Sequence, residues 1–148
     1  MDAKFKDFSH DELLAVLAST KSELAGEDLS FADLCGINLS AADLGGADLS
    51  YANLSDADLR AANLCKTNLC DANLRDADLR GAGLCDADLS DADLRGANLR
   101  GADLSRANLA DANLAGADLR GANVRRGGPD RRKAERRKTD RRHSPDAD

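Results

Sequence analysis

Hydrophobic and polar positions repeat every five residues from residue 27 to residue 126. Leu occupies every fifth position from Leu29 to Leu119, and Val124 ends the series. Asp or Asn precedes nearly every one of these residues, and Ala stands one position earlier, with three exceptions, which are Glu27, Ile37 and Thr67. A short period kept over this length is typical of stacked repeats and not of an ordinary globular domain.

A period of five fits neither a helix nor a flat strand. On a helix with 3.6 residues per turn the leucine stripe would rotate around the axis. On a strand, where side chains alternate between faces, the leucines would change face at each repeat. A chain that turns a corner every five residues removes the conflict, because each Leu and the Ala two residues earlier then point inward. The remaining positions point outward.

This phrase, A(D/N)LXX, resembles that of the pentapeptide repeat family. The resemblance covers residues 27–126 and implies an all-β solenoid, a right-handed, four-sided β-helix with four repeats per coil and about five coils. At a strand spacing of about 4.8 Å per coil, the rod would be roughly 24 Å long. The corner position after each repeat often holds Gly, as at Gly81, Gly101 and Gly121, where a positive φ can be required.

Residues 9–25 are predicted to form one amphipathic helix. Ser9 and Glu12 match a capping box, and Gly26 is placed to end the helix. Apolar residues recur on one face, at Leu13, Leu14, Leu17 and Leu24. We interpret residues 1–26 as a cap on the first coil, because terminal units of repeat proteins are atypical. Binding to a membrane surface or to a partner is the alternative.

Residues twenty apart should stack, which arranges the outward charges in columns. One column is basic and consists of Arg60, Arg80, Arg100 and Arg120. Three aspartates lie two residues before members of that column and can pair with them, namely Asp58, Asp78 and Asp118. A second column is acidic and consists of Asp71, Asp91 and Asp111. These columns are either a solvated surface with interleaved salt bridges or a face that docks a partner.

The sequence offers no catalytic, cofactor or metal site. The four cysteines, Cys35, Cys65, Cys70 and Cys85, are not in CxxC spacing, so zinc binding has little support. Cys65 and Cys85 lie twenty residues apart, so a disulfide between adjacent coils is possible. Because no secretory signal is evident, we predict reduced thiols and a cytoplasmic location. No apolar run is long enough for a transmembrane segment.

Residues 127–148 differ in composition from the repeats. They carry a net charge of +3 and almost no apolar residues, whereas residues 27–126 carry −7. This basic tail is predicted to be disordered on its own. It could bind nucleic acid or an anionic surface, or fold back on the acidic rod. Since it offers almost no apolar contact beyond Ala134, it cannot cover the last coil, and we expect a homodimer through that coil.

Two functions are compatible with these features. The first is a non-enzymatic protein-interaction scaffold that presents rigid charged faces to an unknown protein partner. The second follows from the resemblance, because some pentapeptide repeat proteins mimic duplex DNA and inhibit or protect the topoisomerase DNA gyrase. The acidic rod agrees with that role. Leu at every central position, where those relatives often have Phe, and the interrupting arginine column disagree with it. Nothing in the sequence supports an enzyme.

Overall fold

The computed structural model describes Phe5 and residues 7–125. The helix α1, His10–Ser19, is followed by a 3-10 helix, Lys21–Glu23. Beyond them the described chain contains isolated parallel β-bridges, from Asp28↔Asp48 to Asp103↔Asn123, and each joins residues that lie 20 apart in the sequence. The predicted stacking of residues twenty apart is therefore confirmed.

Each coil is hydrogen-bonded to the next along its whole path. The Leu29 N–H donates to the Asp48 carbonyl at 2.7 Å, and the Phe31 N–H donates to the Ser50 carbonyl at 2.9 Å. Within a coil, the Ala32 N–H donates back to the Leu29 carbonyl at 3.2 Å and closes a four-residue turn. The same three bonds recur from repeat to repeat until the last coil, so the chain turns a corner every five residues and each coil has four sides.

Leucine and alanine fill the interior as predicted. From Leu29 to Leu99 every central leucine is fully buried, and the alanines two residues earlier are buried as well. Thr67, which replaces one of these alanines, donates its hydroxyl to the Leu44 carbonyl at 2.8 Å, so its polar atom is satisfied. Truncation of a buried Leu to Ala in such a core costs about 2–5 kcal/mol.

Every corner has one residue with positive φ, between 56° and 72°. Such turns favour Gly at this position, and Gly81, Gly101 and Gly121 adopt it. Other corners place an ordinary residue there, for example Asp71 with φ 56°. Support comes from the Asp or Asn before each Leu, whose side chain accepts a backbone N–H two residues on, as Asp48 Oδ1 does from Ser50 at 2.9 Å. The Asp or Asn side chains therefore stabilise the corners.

The N-terminal helix is shorter than predicted. The capping box of Ser9 and Glu12 is present, but α1 ends at Ser19, where the Thr20 N–H and hydroxyl both bind the Val16 carbonyl. The prediction that Gly26 ends the helix is wrong. Gly26, with φ 71°, instead forms the first corner of the coil, and its N–H donates to the Gly45 carbonyl at 2.9 Å.

The two ends of the coil differ in burial. At the N-terminal end, Phe5, Leu13 and Leu17 are buried in the same hydrophobic cluster as the repeat leucines. At the C-terminal end, the last central residues are only partly covered by the described chain, namely Leu109, Leu114, Leu119 and Val124. Val124 is 44% exposed. The predicted tail, residues 127–148, lies outside the described residues.

Candidate functional site

The fold places both predicted charge columns at corners. The arginine column (Arg60, Arg80, Arg100 and Arg120) occupies the residue after each Leu on one side of the coil, and the acidic column (Asp71, Asp91 and Asp111) occupies positive-φ corner positions. The two corners are half a coil apart in sequence. Because the coil has four corners, the columns lie at opposite corners of the rod.

Three members of the arginine column are paired with the aspartate two residues earlier. Arg60 Nη2 lies 2.7 Å from Asp58 Oδ2, and its Nε donates to Asp58 Oδ1 at 2.9 Å. Arg80 binds Asp78 in the same two-point manner, with a shortest distance of 2.6 Å. Side chains two residues apart project from the same side of an extended segment, which explains the pairing. Arg120 and Asp118 repeat the arrangement.

These pairs change the proton affinity of their members. The hydrogen bond from Arg80 is the main cause that lowers the pKa of Asp78, and the hydrogen bond from Arg60 does the same for Asp58. The hydrogen bond from Arg120 lowers the pKa of Asp118 to about 2. The pKa of each arginine partner is raised. These aspartates and arginines are therefore charged across the physiological range, and each pair cancels its own charge.

Arg100 is the exception in its column. The residue two before it is Asn98, which accepts the Arg100 backbone N–H at 3.2 Å but brings no charge. Within residues 7–125 the Arg100 guanidinium has no carboxylate partner. The same holds for two arginines outside the column that also follow an Asn, namely Arg75 after Asn73 and Arg125 after Asn123.

The sequence analysis missed these unpaired cations, although a simple signal was available. Arg95 follows Asp93 and binds it at 2.6 Å, in the same way as the paired members of the arginine column. An arginine after Leu is thus neutralised when Asp precedes that Leu, and remains unpaired when Asn does. The one-atom difference between Asp and Asn decides whether the guanidinium is available to a partner.

The acidic column is exposed and has no cation beside it. Within the described part of the chain, Asp71, Asp91 and Asp111 form no ion pair with Lys or Arg. Their corner neighbours are Cys70, Ser90 and Ala110, none of which is basic. An aspartate at another corner shows the contrast, because Asp86 is bound by Arg106 of the next coil at 2.8 Å. No ion pair among the described residues therefore neutralises the acidic column.

Two aromatic residues continue the acidic column towards the N-terminal end. Phe31 and Tyr51 occupy the same corner one coil apart, and their rings stack with centroids 4.8 Å apart and an interplanar angle of 2°. They are 71% and 53% exposed. The charge of Asp71 and its hydrogen bond to the phenol raise the pKa of Tyr51. This aromatic pair and the acidic column thus form one continuous ridge, which the sequence analysis did not predict.

The prediction of four reduced cysteines is wrong for two of them. Cys65 and Cys85 form a disulfide between adjacent coils, with their Cα atoms 4.6 Å apart. The twenty-residue period places the two side chains side by side, which is the reason that the bond can form. Cys35 and Cys70 are free.

One group of possible metal ligands lies on the ridge. Donor atoms of Cys70, Asp71 and Asp91 all lie within 4.8 Å of one another. Both aspartates are exposed, and exposed acidic groups commonly approach each other without a metal, so we do not assign a metal site. No helix among the described residues is long and apolar enough to span a membrane.

Comparisons with known proteins place these features in context. A family model described as pentapeptide repeats matches residues 28–64, 52–91 and 87–126, with 8 copies. No curated protein shows significant similarity to the chain.

Solved structures of similar chains include those of two pentapeptide repeat proteins and of one fluoroquinolone resistance protein. Rfr23, a pentapeptide repeat protein from the cyanobacterium Cyanothece 51142, is 41% identical over 64% of this chain and 62% of its own, with a TM-score of 0.58. Trypsin-treated QnrB1, a plasmid-mediated fluoroquinolone resistance protein, is 27% identical over 64% of this chain and 58% of its own, with a TM-score of 0.50. The pentapeptide repeat protein alr5209 from Nostoc PCC 7120 is 39% identical over 82% of this chain and 88% of its own, with a TM-score of 0.39. The chain therefore spans less than two thirds of the length of Rfr23 and of QnrB1.

Proposed function

Because the chain belongs to the pentapeptide repeat family, we propose that it is a non-enzymatic protein-interaction scaffold whose charged corners bind a protein partner. The observation that carries this proposal is the acidic column of the ridge, an exposed row of carboxylates that form no ion pair with Lys or Arg within residues 7–125. Like charges a strand spacing apart repel each other. A cationic partner would remove that repulsion, so the ridge is the face that we expect to bind.

The arginine column contributes less to partner binding than its four arginines indicate. Arg60, Arg80 and Arg120 are already paired within the chain, and exposed pairs of this kind contribute little to stability. Arg100 remains open to an acidic group of a partner. The proposed binding residues are therefore the acidic column first and Arg100 second.

The test is quantitative capture of partners from the native host by matched variants. Asp91→Asn/Asp111→Asn removes two charges from the ridge. Asp56→Asn/Asp76→Asn removes two charges from the corner that follows, where both aspartates are also exposed with positive φ. Asn tolerates that conformation as Asp does, so both variants should fold. A partner held by the wild type and the corner control but lost by the ridge variant supports the proposal. Equal capture by all three proteins contradicts it.

A second candidate is a DNA-mimicking regulator or protector of the topoisomerase DNA gyrase. The specific observation in its favour is the similarity to QnrB1, which is a fluoroquinolone resistance protein. The self-neutralised arginine column also interrupts the acidic surface less than the sequence indicated. A supercoiling assay with purified gyrase separates the two functions. Inhibition of supercoiling, or protection from a fluoroquinolone, supports the second candidate, and no effect at micromolar protein removes it.

We also infer several finer features of the architecture. By resemblance to the family, the β-helix is right-handed and contains about five coils, and α1 caps its N-terminal end. A homodimer through the last coil is supported by the partial exposure of Leu109, Leu114 and Leu119. Their backbone N–H groups have no acceptor within residues 7–125. Light scattering on the full chain and on Val124→Arg tests the dimer, since a monomeric wild type at tens of micromolar would exclude it.

A further inference from the structure

The exposed Phe31–Tyr51 pair and the acidic column together form a surface that fits a basic peptide. Exposed aromatic rings attract Arg and Lys side chains through cation–π interactions. Carboxylates attract the same side chains by charge and accept their hydrogen bonds. A peptide that carries cations at two places, one for the carboxylates and one for the rings, would match the whole ridge.

We propose that this ridge binds the basic tail of the same chain, residues 127–148. The tail contains arginine pairs at residues 131–132, 136–137 and 141–142, and the ridge lacks any cation of its own. The described chain reaches Arg125. The Arg125 carbonyl accepts the Arg106 N–H at 2.8 Å, one corner before Asp111, and the six residues from Arg125 to Arg131 span up to about 20 Å when extended. The first arginine pair is therefore tethered within reach of Asp111.

The spacing of the arginine pairs agrees with the length of the ridge. Tyr51 and Phe31 lie three and four coils from Asp111, which is about 14 Å and about 19 Å along the rod. An extended peptide covers about 3.3 Å per residue, so arginine pairs five residues apart are separated by about 16 Å. With Arg131 and Arg132 at Asp111, the next pair, Arg136 and Arg137, reaches the aromatic pair. In this arrangement the proposed partners of Lys133 are Asp91 and Asp71.

The tail thereby competes with any external cationic partner for the ridge. This regulatory consequence rests on the proposed scaffold function, whereas the contact itself does not, because the tail can occupy the ridge with no partner present. Since the attraction is between exposed charges, it weakens when salt shortens the screening length, which is about 8 Å at physiological ionic strength.

Carbodiimide crosslinking of the full chain tests the contact directly. The reagent activates a carboxylate, and a lysine amine then displaces it to form an amide while a urea leaves. We expect mass spectrometry of the monomeric product to show Lys133 and Lys138 joined to Asp71, Asp91 or Asp111 several-fold more often than to Asp56 or Asp76. Equal coupling to both corners, no coupling, or coupling only between two chains would each overturn the intramolecular contact.

A variant and a second readout make the test independent of lysine reactivity. Replacing Arg131, Arg132, Arg136 and Arg137 by Ala retains both lysines and all buried residues, and it should strongly reduce the crosslinks to the acidic column. Tyr51 is the only tyrosine and the chain has no tryptophan, so its fluorescence reports on the ridge alone. Acrylamide quenching of Tyr51 should increase in this variant and at high salt. Unchanged crosslinks and quenching in the variant would overturn the proposal. If the tail contact fails while ridge variants still lose a captured partner, the scaffold function stands without it.

Discussion

The arginine column and the acidic column are built on the same frame and yet differ in net charge. Both place like charges on adjacent coils at the same spacing. Arg60, Arg80 and Arg120 each have an aspartate two residues earlier on the same side of the chain, and the two charges cancel. Asp71, Asp91 and Asp111 have no basic neighbour within residues 7–125. A column of equal charges therefore marks an open surface only when the neighbouring positions do not supply the counter-charge.

The largest effect should come from a change that disrupts the buried leucine core on which both columns are built. Leu74→Asp would bury an uncompensated carboxylate in the interior, which costs several kcal/mol, and should prevent folding. Arg75→Asp, at the next residue, removes a side chain that is exposed and has no carboxylate partner, and should have little effect on stability. Thermal unfolding followed by circular dichroism measures both variants. Equal stability of the two would contradict the assignment of inward and outward positions.

Removal of the disulfide should have the next largest effect on the free energy of unfolding. Cys65 and Cys85 close a loop of about twenty residues, and loss of a crosslink of this size lowers the free energy of unfolding by about 3 kcal/mol. Denaturant unfolding of Cys65→Ser/Cys85→Ser measures it, with Cys35→Ser/Cys70→Ser as the control that leaves the disulfide in place. Four reactive thiols in the denatured, unreduced protein would show that the bond is absent.

Acid should weaken the ion pairs of the arginine column only below the ordinary aspartate pKa. The pKa values of Asp58, Asp78 and Asp118 are lowered in the folded state, so each pair contributes stability that is complete above the ordinary aspartate pKa. That contribution is lost as the pH falls through the folded-state pKa, for Asp118 between 3.8 and about 2. NMR titration of the Asp118 carboxyl should show its pKa rising towards 3.8 in Arg120→Ala. An unchanged pKa would mean that Arg120 is not the cause.

The fold was predictable because one period determines it. Every central Leu, and the Ala two residues before it, indicates the same inward direction, so an exception at a single position does not change the prediction. The end of the helix was not predictable from the same evidence. A glycine that ends a helix and a glycine at a coil corner both need positive φ, and the sequence around Gly26 satisfies either role. Hydrogen bonds between Gly26 and the next coil decide between them.

The candidate site was predictable only in part. The twenty-residue period placed both columns and the Asp58, Asp78 and Asp118 partners correctly. Phe31 and Tyr51 also lie twenty residues apart, so the period places their rings on adjacent coils. Their exposure, which makes them available to a partner, is known only from the structure. The disulfide was mispredicted because the prediction of reduced thiols rested on a cytoplasmic location. The structure brings Cys65 and Cys85 close enough to bond.

The smallest effects test the central claim, that the residue before each Leu decides whether the following arginine is neutralised. Asp78→Asn should leave Arg80 unpaired beside Arg60 and Arg100, and Asn98→Asp should give Arg100 the partner that it lacks. Both effects should be small, because solvent and salt screen the attraction between exposed charges. The most direct measurement is the free energy of unfolding of both variants by urea denaturation at low and high salt. We predict a loss for Asp78→Asn and a gain for Asn98→Asp, both reduced at high salt, and shifts in the same direction would contradict the claim.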